Sequence, residues 1–150
     1  MKYFFIGFNK TATMSVYFYL KKRGLNCYHG EDWVQYSKEK QEYFFDRHDV
    51  FLDGEEADFI WLSKNFSNAK FILNTRALYD WLVSRYNHYR AMKNRVTKSG
   101  ERNNPLVTVE RVMNWILHRD RYHRKVVTYF GASENCLLYT SDAADERQSV

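Results

Sequence analysis

The sequence predicts an α/β domain in which helices cover a mostly parallel sheet. Three short apolar runs, at residues 3–8, 49–53 and 70–76, have the length and composition of buried strands. Helical patterns separate these runs along the chain, as they do in βαβ units. With 150 residues, of which 45% are hydrophobic and 18% aromatic, the chain has the size and composition of one globular domain.

The first run leads directly into a small polar segment. Residues 9–13, here called the Lys10 loop, carry one cation among small hydroxyl residues, and a helical pattern follows until Gly24. Free backbone N–H groups and the positive end of the helix dipole converge where a strand passes through such a turn into a helix. The segment therefore predicts an anion site, to which Lys10 adds a full charge.

The next part of the chain predicts smaller elements around the second apolar run. Residues 26–29 indicate a short strand, and residues 32–46 indicate a helix of irregular pattern. The run at 49–53 ends on Asp53. A helix is predicted over residues 55–66, with acidic residues in its first turn that complement the helix dipole.

The third run, residues 70–76, ends on Arg76 and precedes the most regular helical pattern in the chain. Its predicted apolar stripe consists of Leu78, Trp81, Leu82, Tyr86, Tyr89, Met92 and Val96. Ser84 lies off this stripe, on a polar face. A loop is predicted over residues 98–105 and a long helix over residues 109–130.

All three runs pass into a reactive side chain at or just after their carboxyl ends: Lys10, Asp53 and Arg76. Ligands of parallel sheets bind outside the carboxyl ends of the strands. An amine, a carboxylate and a guanidinium are therefore expected on one rim of the sheet, which predicts a binding or catalytic site there.

Composition limits the remaining classes of function. The formal charge of +5 fits a polyanionic small ligand, a nucleic acid or a solvated basic surface. Cys27 and Cys136 lack the spacing of a disulfide framework or a zinc site, so no metal is predicted. No apolar run approaches the ~20 residues of a membrane span, and the N-terminus is a poor signal peptide, which favours a cytoplasmic protein.

The local pattern leaves two interpretations of the polar residues. Lys10 with Thr11, Thr13 and Ser15 either holds a phosphate or forms only a capped turn. Arg76 and Ser84 either grip a second phosphate or are surface residues. The loop lacks the Gly-x4-Gly-Lys-Ser/Thr pattern of a Walker A motif.

The segment Lys-Thr-Ala-Thr-Met-Ser at residues 10–15 resembles the Pro-Lys-Thr-Gly-Thr-Thr-Ser loop of sulfotransferases. Arg76, with Ser84 eight residues later, is similar to the second signature of that family. The resemblance covers roughly residues 3–135 and implies a P-loop-NTPase-like parallel sheet flanked by helices. It also implies the donor 3′-phosphoadenosine 5′-phosphosulfate (PAPS).

By this resemblance, Arg76 and Ser84 bind the 3′-phosphate of the donor. The same resemblance implies that the 5′-phosphosulfate is bound by Lys10, Thr11, Ala12, Thr13, Met14 and Ser15. Three residues depart from the family loop, since Asn9 replaces Pro, Ala12 replaces Gly and Met14 replaces Thr. The Ala12 side chain is tolerable at negative φ and costly in a left-handed turn.

The resemblance implies a mechanism without a metal. Lys10 neutralises the leaving phosphate, and Asp53 is the first candidate for the base, followed by His29 and Glu55. The acceptor is expected to be a hydroxyl of a small molecule or a carbohydrate, not a nucleic acid. Trp33 is either a stacking partner for adenine or a core residue.

The C-terminal segment has a different character. Residues 136–146 resemble the translated reading frame of a transposon-end adapter used in sequencing libraries. We therefore predict a partial sulfotransferase-like domain at residues 1–135, incomplete at its C-terminus, followed by a non-native tail at residues 136–150. The alternative is a native strand at residues 136–140.

Two other functions remain open from the sequence. A P-loop nucleotide or small-molecule kinase would also bind phosphate at the Lys10 loop. A non-enzymatic module that binds nucleic acid would use the basic stretch at residues 119–125. The sequence makes no prediction of the oligomeric state.

Overall fold

The computed structural model describes residues 1–92, 106–131 and 133–141. The strands in this part are β1 (Tyr3–Phe5), β2 (Cys27–His29), β3 (Val50–Leu52), β4 (Lys70–Arg76) and β5 (Cys136–Ser141). The α-helices there are α1 (Thr13–Lys22), α2 (Asp32–Lys38), α3 (Phe59–Asn65), α4 (Leu78–Met92) and α5 (Val109–Phe130). A 3₁₀ helix at Glu42–Arg47 follows α2.

The strands form one parallel sheet in the order β2-β3-β1-β4-β5. The prediction of an α/β fold with a parallel sheet is therefore confirmed. β1 lies between β3 and β4, with Phe4 opposite Phe51 on one side and Phe71 on the other. This order brings the carboxyl ends of all three apolar runs to one rim.

Apolar side chains cover both faces of the sheet. On one face the ring of Phe4 stacks between those of Phe51 and Phe71, at centroid distances of 5.3 and 5.4 Å. Trp33 is fully buried in the same cluster and its indole N–H donates to the Leu52 carbonyl at 2.7 Å. Trp33 is therefore a core residue, and of its two interpretations the stacking partner for adenine is wrong.

The helix predicted over residues 55–66 begins later than expected, at Phe59. Asp58 caps it, because its carboxylate accepts the backbone N–H of Trp61 at 3.0 Å. Glu56 has a left-handed φ of 66°, which no residue inside an α-helix adopts. The single irregular helix predicted over residues 32–46 is likewise divided into α2 and the 3₁₀ helix.

The predicted apolar stripe of α4 is wrong at two positions. Leu78 and Tyr86 are exposed, whereas Trp81 is fully buried. Arg85, which the stripe omitted, has a side chain only 13% exposed. The face that α4 turns inward therefore carries a guanidinium among its aromatic rings. Val96 and the loop predicted at 98–105 lie outside the described residues.

β5 is the edge strand beside β4, and its register runs from Phe71 opposite Cys136 to Arg76 opposite Ser141. Leu137 and Leu138 on this strand are exposed. Residues 142–150 lie outside the described part of the chain, and the assignment of residues 136–150 as a non-native tail stays a prediction.

Candidate active site

The Lys10 loop rests on a close contact between the chain after β1 and strand β4. The backbone N–H of Gly7 donates to Asn74 Oδ1 at 2.9 Å. A Cβ atom on Gly7 would lie 1.9 Å from the Asn74 carbonyl oxygen, so only glycine fits there. The Asn74 amide also donates to the hydroxyl of Thr11, which ties the loop to the sheet.

The loop itself is strained. Lys10 and Ala12 both have a left-handed φ of 63°. For residues other than glycine this conformation costs about 1–2 kcal/mol, and strained backbone tends to occur where a site requires it. Of the two cases considered from the sequence, Ala12 therefore stands in the left-handed turn, where its side chain costs free energy.

Ala12 precedes α1 and supplies no side-chain cap to it. Within the described residues, no partner is seen for the backbone N–H groups of Thr13, Met14 and Ser15. These N–H groups are the orphan donors of a helix N-terminus, where the helix dipole is positive. Together with the Lys10 amine they form a suitable binding site for an anion.

The first cavity is an open cleft of about 490 Å³ beside this helix end. It is lined by Asn9, Lys10, Ala12, Thr13, Met14, Ser15, Phe18, His29, Asp53 and Ser84. Seven of the nine residues predicted to bind the donor or to be the first candidate base are among them, and so is His29, the second candidate base. Ser84 on α4 is thus brought to the same cleft as the Lys10 loop, although it lies far away in sequence.

The two remaining residues of these nine, Thr11 and Arg76, do not line the cleft. The Thr11 hydroxyl is buried and donates to the Phe8 carbonyl at 2.6 Å, so it supports the loop from inside. Arg76 is 7% exposed and its carbonyl oxygen accepts a hydrogen bond from Arg119 Nη2 at 2.6 Å. Neither Thr11 nor Arg76 lines a cavity at the Lys10 loop.

A second cavity of about 270 Å³ adjoins the first. Its lining residues are Asn9, Lys10, His29, Gly30, Glu31, Asp53, Glu55 and His88. Asn9, Lys10, His29 and Asp53 belong to both cavities. The two cavities therefore meet at one amine, one imidazole and one carboxylate.

His29 and Asp53 form a pair where the cavities meet. His29 ends β2 and Asp53 follows β3, and because these strands are parallel neighbours the two side chains lie on the same rim. His29 Nε2 lies 3.1 Å from Asp53 Oδ2. Asp53 has a left-handed φ of 65°, and the ring of Tyr17 packs edge-on against His29.

Glu55 and Arg85 lie behind the Lys10 loop. Arg85 Nη1 is 3.5 Å from Glu55 Oε2, and both side chains are mostly buried. Burial raises the pKa of Glu55, while the charge of Arg85 and a hydrogen bond from the Asn9 backbone oppose this rise. Sequence reasoning missed Arg85, because no motif or periodicity marks a charged residue on an inward helix face.

A match to a family model decides the identity of the domain. The model, described as a sulfotransferase domain, matches residues 2–145. The chain belongs to the sulfotransferase domain family. The resemblance seen in the Lys10 loop and in Arg76 with Ser84 is thereby confirmed at the level of the family. A search of curated proteins finds no match.

The family match makes the chain a domain of a transferase family that carries out sulfuryl transfer. All residues of both cavities lie inside the matched range. In the described part of this sulfotransferase domain, no group of His, Cys, Asp and Glu has the arrangement of a metal site. Of the helices seen there, none has the length and apolarity to cross a bilayer.

Proposed function

We propose that this sulfotransferase domain transfers a sulfuryl group from PAPS to a hydroxyl of a small molecule or a carbohydrate. The observation that carries this proposal is the pair of adjoining cavities that meet at Lys10, His29 and Asp53. Transfer between two molecules requires two binding sites whose reacting atoms meet at one point.

The donor is assigned to the first cavity. Lys10 and the free N–H groups of residues 13–15 bind its 5′-phosphosulfate, since they combine a full charge with the positive helix end. Ser84, across the cleft, binds its 3′-phosphate. The buried Arg76 adds positive charge at the end of the neighbouring strand, on the same rim.

The acceptor is assigned to the second cavity, where Asp53 is the proposed base. The acceptor oxygen forms a bond to sulfur as the bond between sulfur and the phosphate oxygen breaks. The acceptor proton passes to the Asp53 carboxylate, which His29 orients from 3.1 Å away. Lys10 stabilises the charge on the phosphate of the departing adenosine 3′,5′-bisphosphate.

The alternative bases are less well placed for this role. His29 shares the meeting point and would act if Asp53 only oriented it. Glu55 is engaged by Arg85 and by the Asn9 backbone, so its carboxylate is already occupied.

Transfer of radiolabelled sulfuryl from PAPS to a panel of phenols, alcohols and sugars tests the proposal. For an acceptor that the wild type uses, Asp53→Asn should lower kcat about 100-fold or more while the affinity for adenosine 3′,5′-bisphosphate stays unchanged. Asp46→Asn, an exposed carboxylate away from the cavities, is the control and should keep wild-type rates.

Full activity of Asp53→Asn would rule out the carboxylate as base. Phosphoryl transfer from ATP with magnesium, without any sulfuryl transfer from PAPS, would support the kinase alternative and contradict the proposed function.

A further inference from the structure

Asn9 is held by hydrogen bonds from outside the Lys10 loop. The indole N–H of Trp81 donates to the Asn9 carbonyl at 3.0 Å, and Arg85 Nη1 donates to Asn9 Oδ1 at 3.3 Å. The Asn9 backbone also lies close enough to the Glu55 carboxylate to lower the pKa of that group. Because Trp81 and Arg85 belong to α4 and Glu55 follows β3, two other parts of the fold fix this one residue.

Arg85 is itself held in place. Its guanidinium lies 5.2 Å from the ring centroid of Trp81 and 5.1 Å from that of Trp115. One of its nitrogens is also 3.5 Å from the Glu55 carboxylate. A planar guanidinium stacked on indoles and paired with an acid has little freedom to move. Arg85 lines neither cavity, so any effect that it has on a bound donor passes through Asn9.

Lys10 is the residue that needs this support. It follows Asn9 directly and has a left-handed φ of 63°, a conformation that costs free energy for a residue other than glycine. The hydrogen bonds to Asn9 reach its carbonyl and its side-chain oxygen, and they therefore fix the peptide that precedes Lys10.

We propose that Arg85 is a positioning residue that, together with Glu55, fixes Asn9 and thereby holds Lys10 in the wall shared by both cavities. Arg85 itself does not touch the donor, since it lines neither cavity. The part of the proposal that concerns donor binding rests on the proposed function, whereas the part that concerns the order of the loop does not.

The test compares Arg85→Gln and Arg85→Lys with the wild type in two measurements. The first is amide hydrogen exchange in peptides that cover residues 7–15, relative to peptides that cover β4. The second is the affinity for adenosine 3′,5′-bisphosphate by calorimetry. Arg90→Gln is the matched control, because Arg90 lies on the same helix, is exposed and contacts only the Tyr86 ring among the described residues.

Arg85→Gln should speed exchange in residues 7–15 about tenfold while exchange in β4 stays within about twofold of the wild type. The affinity should fall about tenfold. Arg85→Lys should reproduce both changes, because lysine keeps the charge but lacks the planar fork. Arg90→Gln should leave both measurements within about twofold of the wild type.

Unchanged exchange and affinity in Arg85→Gln would overturn the proposal. Equal acceleration in residues 7–15 and in β4 would also overturn it, because the role of Arg85 would then be general stability. Wild-type behaviour of Arg85→Lys would show that charge alone matters and contradict positioning by the fork. If the wild type failed to bind the nucleotide, the proposed function would fail, while the exchange measurement would still decide the role of Arg85.

Discussion

Asn74 is the residue on which the geometry of the Lys10 loop depends. It is 1% exposed, and its side chain contacts the chain at Gly7 and at Thr11. Since a buried amide side chain is costly unless it is hydrogen-bonded, these contacts explain why a polar residue stands inside an apolar strand. The loop and the central sheet are therefore joined through one side chain.

Gly7→Ala should destabilise the domain by about 1–3 kcal/mol or more, because the added Cβ would overlap backbone atoms of Asn74. Urea denaturation measures the change. Gly24→Ala is the control: Gly24 has a φ of 85° with nothing within 4 Å, so only the left-handed conformation opposes the substitution. It should cost only about 1 kcal/mol. A smaller loss for Gly7→Ala than for Gly24→Ala would contradict the close contact.

Ala12→Gly should stabilise the domain by about 0.5–1 kcal/mol. Relief of the left-handed φ outweighs the greater freedom that glycine has in the unfolded chain. The midpoint of urea denaturation should rise. Ala69→Gly, at a buried alanine without a positive φ, should lower it. A lower midpoint for Ala12→Gly would show that Ala12 is not strained.

At the scale of elements, the sequence predicted strands better than the bounds of helices. The change from apolar to polar residues placed Asp53 correctly, directly after β3, because that change follows from burial. The first strand is shorter than the predicted run at residues 3–8: β1 ends at Phe5, and Lys10 follows in the loop before α1. The start of α3 was missed, since the left-handed Glu56 and the cap at Asp58 depend on contacts that no periodicity records. The inward position of Arg85 was not predicted for the same reason, since its partners Asn9 and Glu55 lie far away in sequence.

Asp58→Ala should destabilise the domain by about 1 kcal/mol through loss of the cap of α3. The Lys40 amine also contacts this carboxylate. Burial alone would raise the pKa of Asp58, but Lys40 and the Trp61 N–H outweigh it and hold the pKa below its usual value. The stabilisation is thus complete above the unfolded pKa and is lost as the pH falls through the folded one.

Thermal denaturation of Asp58→Ala and wild type at pH 7 and pH 3 measures this contribution. The melting temperatures of the two proteins should differ less at pH 3 than at pH 7. Asp46→Ala, which removes an exposed carboxylate, should behave like the wild type. A constant difference at both pH values would contradict the ionised cap.

At the scale of the whole molecule, α5 joins the sheet to the site through buried polar groups. Arg119 donates to Thr75 Oγ1 at 2.9 Å and to the Arg76 carbonyl, and its guanidinium lies 5.0 Å from the Trp81 ring. The basic stretch at residues 119–125 is therefore not one continuous exposed surface. Arg76 ends β4 as predicted, but its side chain is buried and does not line the cleft, and burial of a charged residue cannot be predicted from one sequence.

His123 should make the domain less stable in mild acid. Burial, followed by the charge of Arg119, lowers the pKa of His123 to about 4, although Asp120 opposes this shift. The unfolded histidine takes up a proton near pH 6.5, so stability falls as the pH drops from about 6.5 to about 4. Urea midpoints measured from pH 7.5 to pH 4.5 should fall less steeply for His123→Gln. An equal pH dependence of the urea midpoints in the wild type and in His123→Gln would contradict the lowered pKa of His123.

We infer that the Lys10 loop and α1 form the anion site for the donor. Calorimetric titration of adenosine 3′,5′-bisphosphate into wild type and Lys10→Ala tests it, with Lys22→Ala as a control at the far end of α1. We expect saturable binding to the wild type and to Lys22→Ala, and an affinity at least about tenfold weaker for Lys10→Ala. Equal affinity in wild type and Lys10→Ala would contradict it.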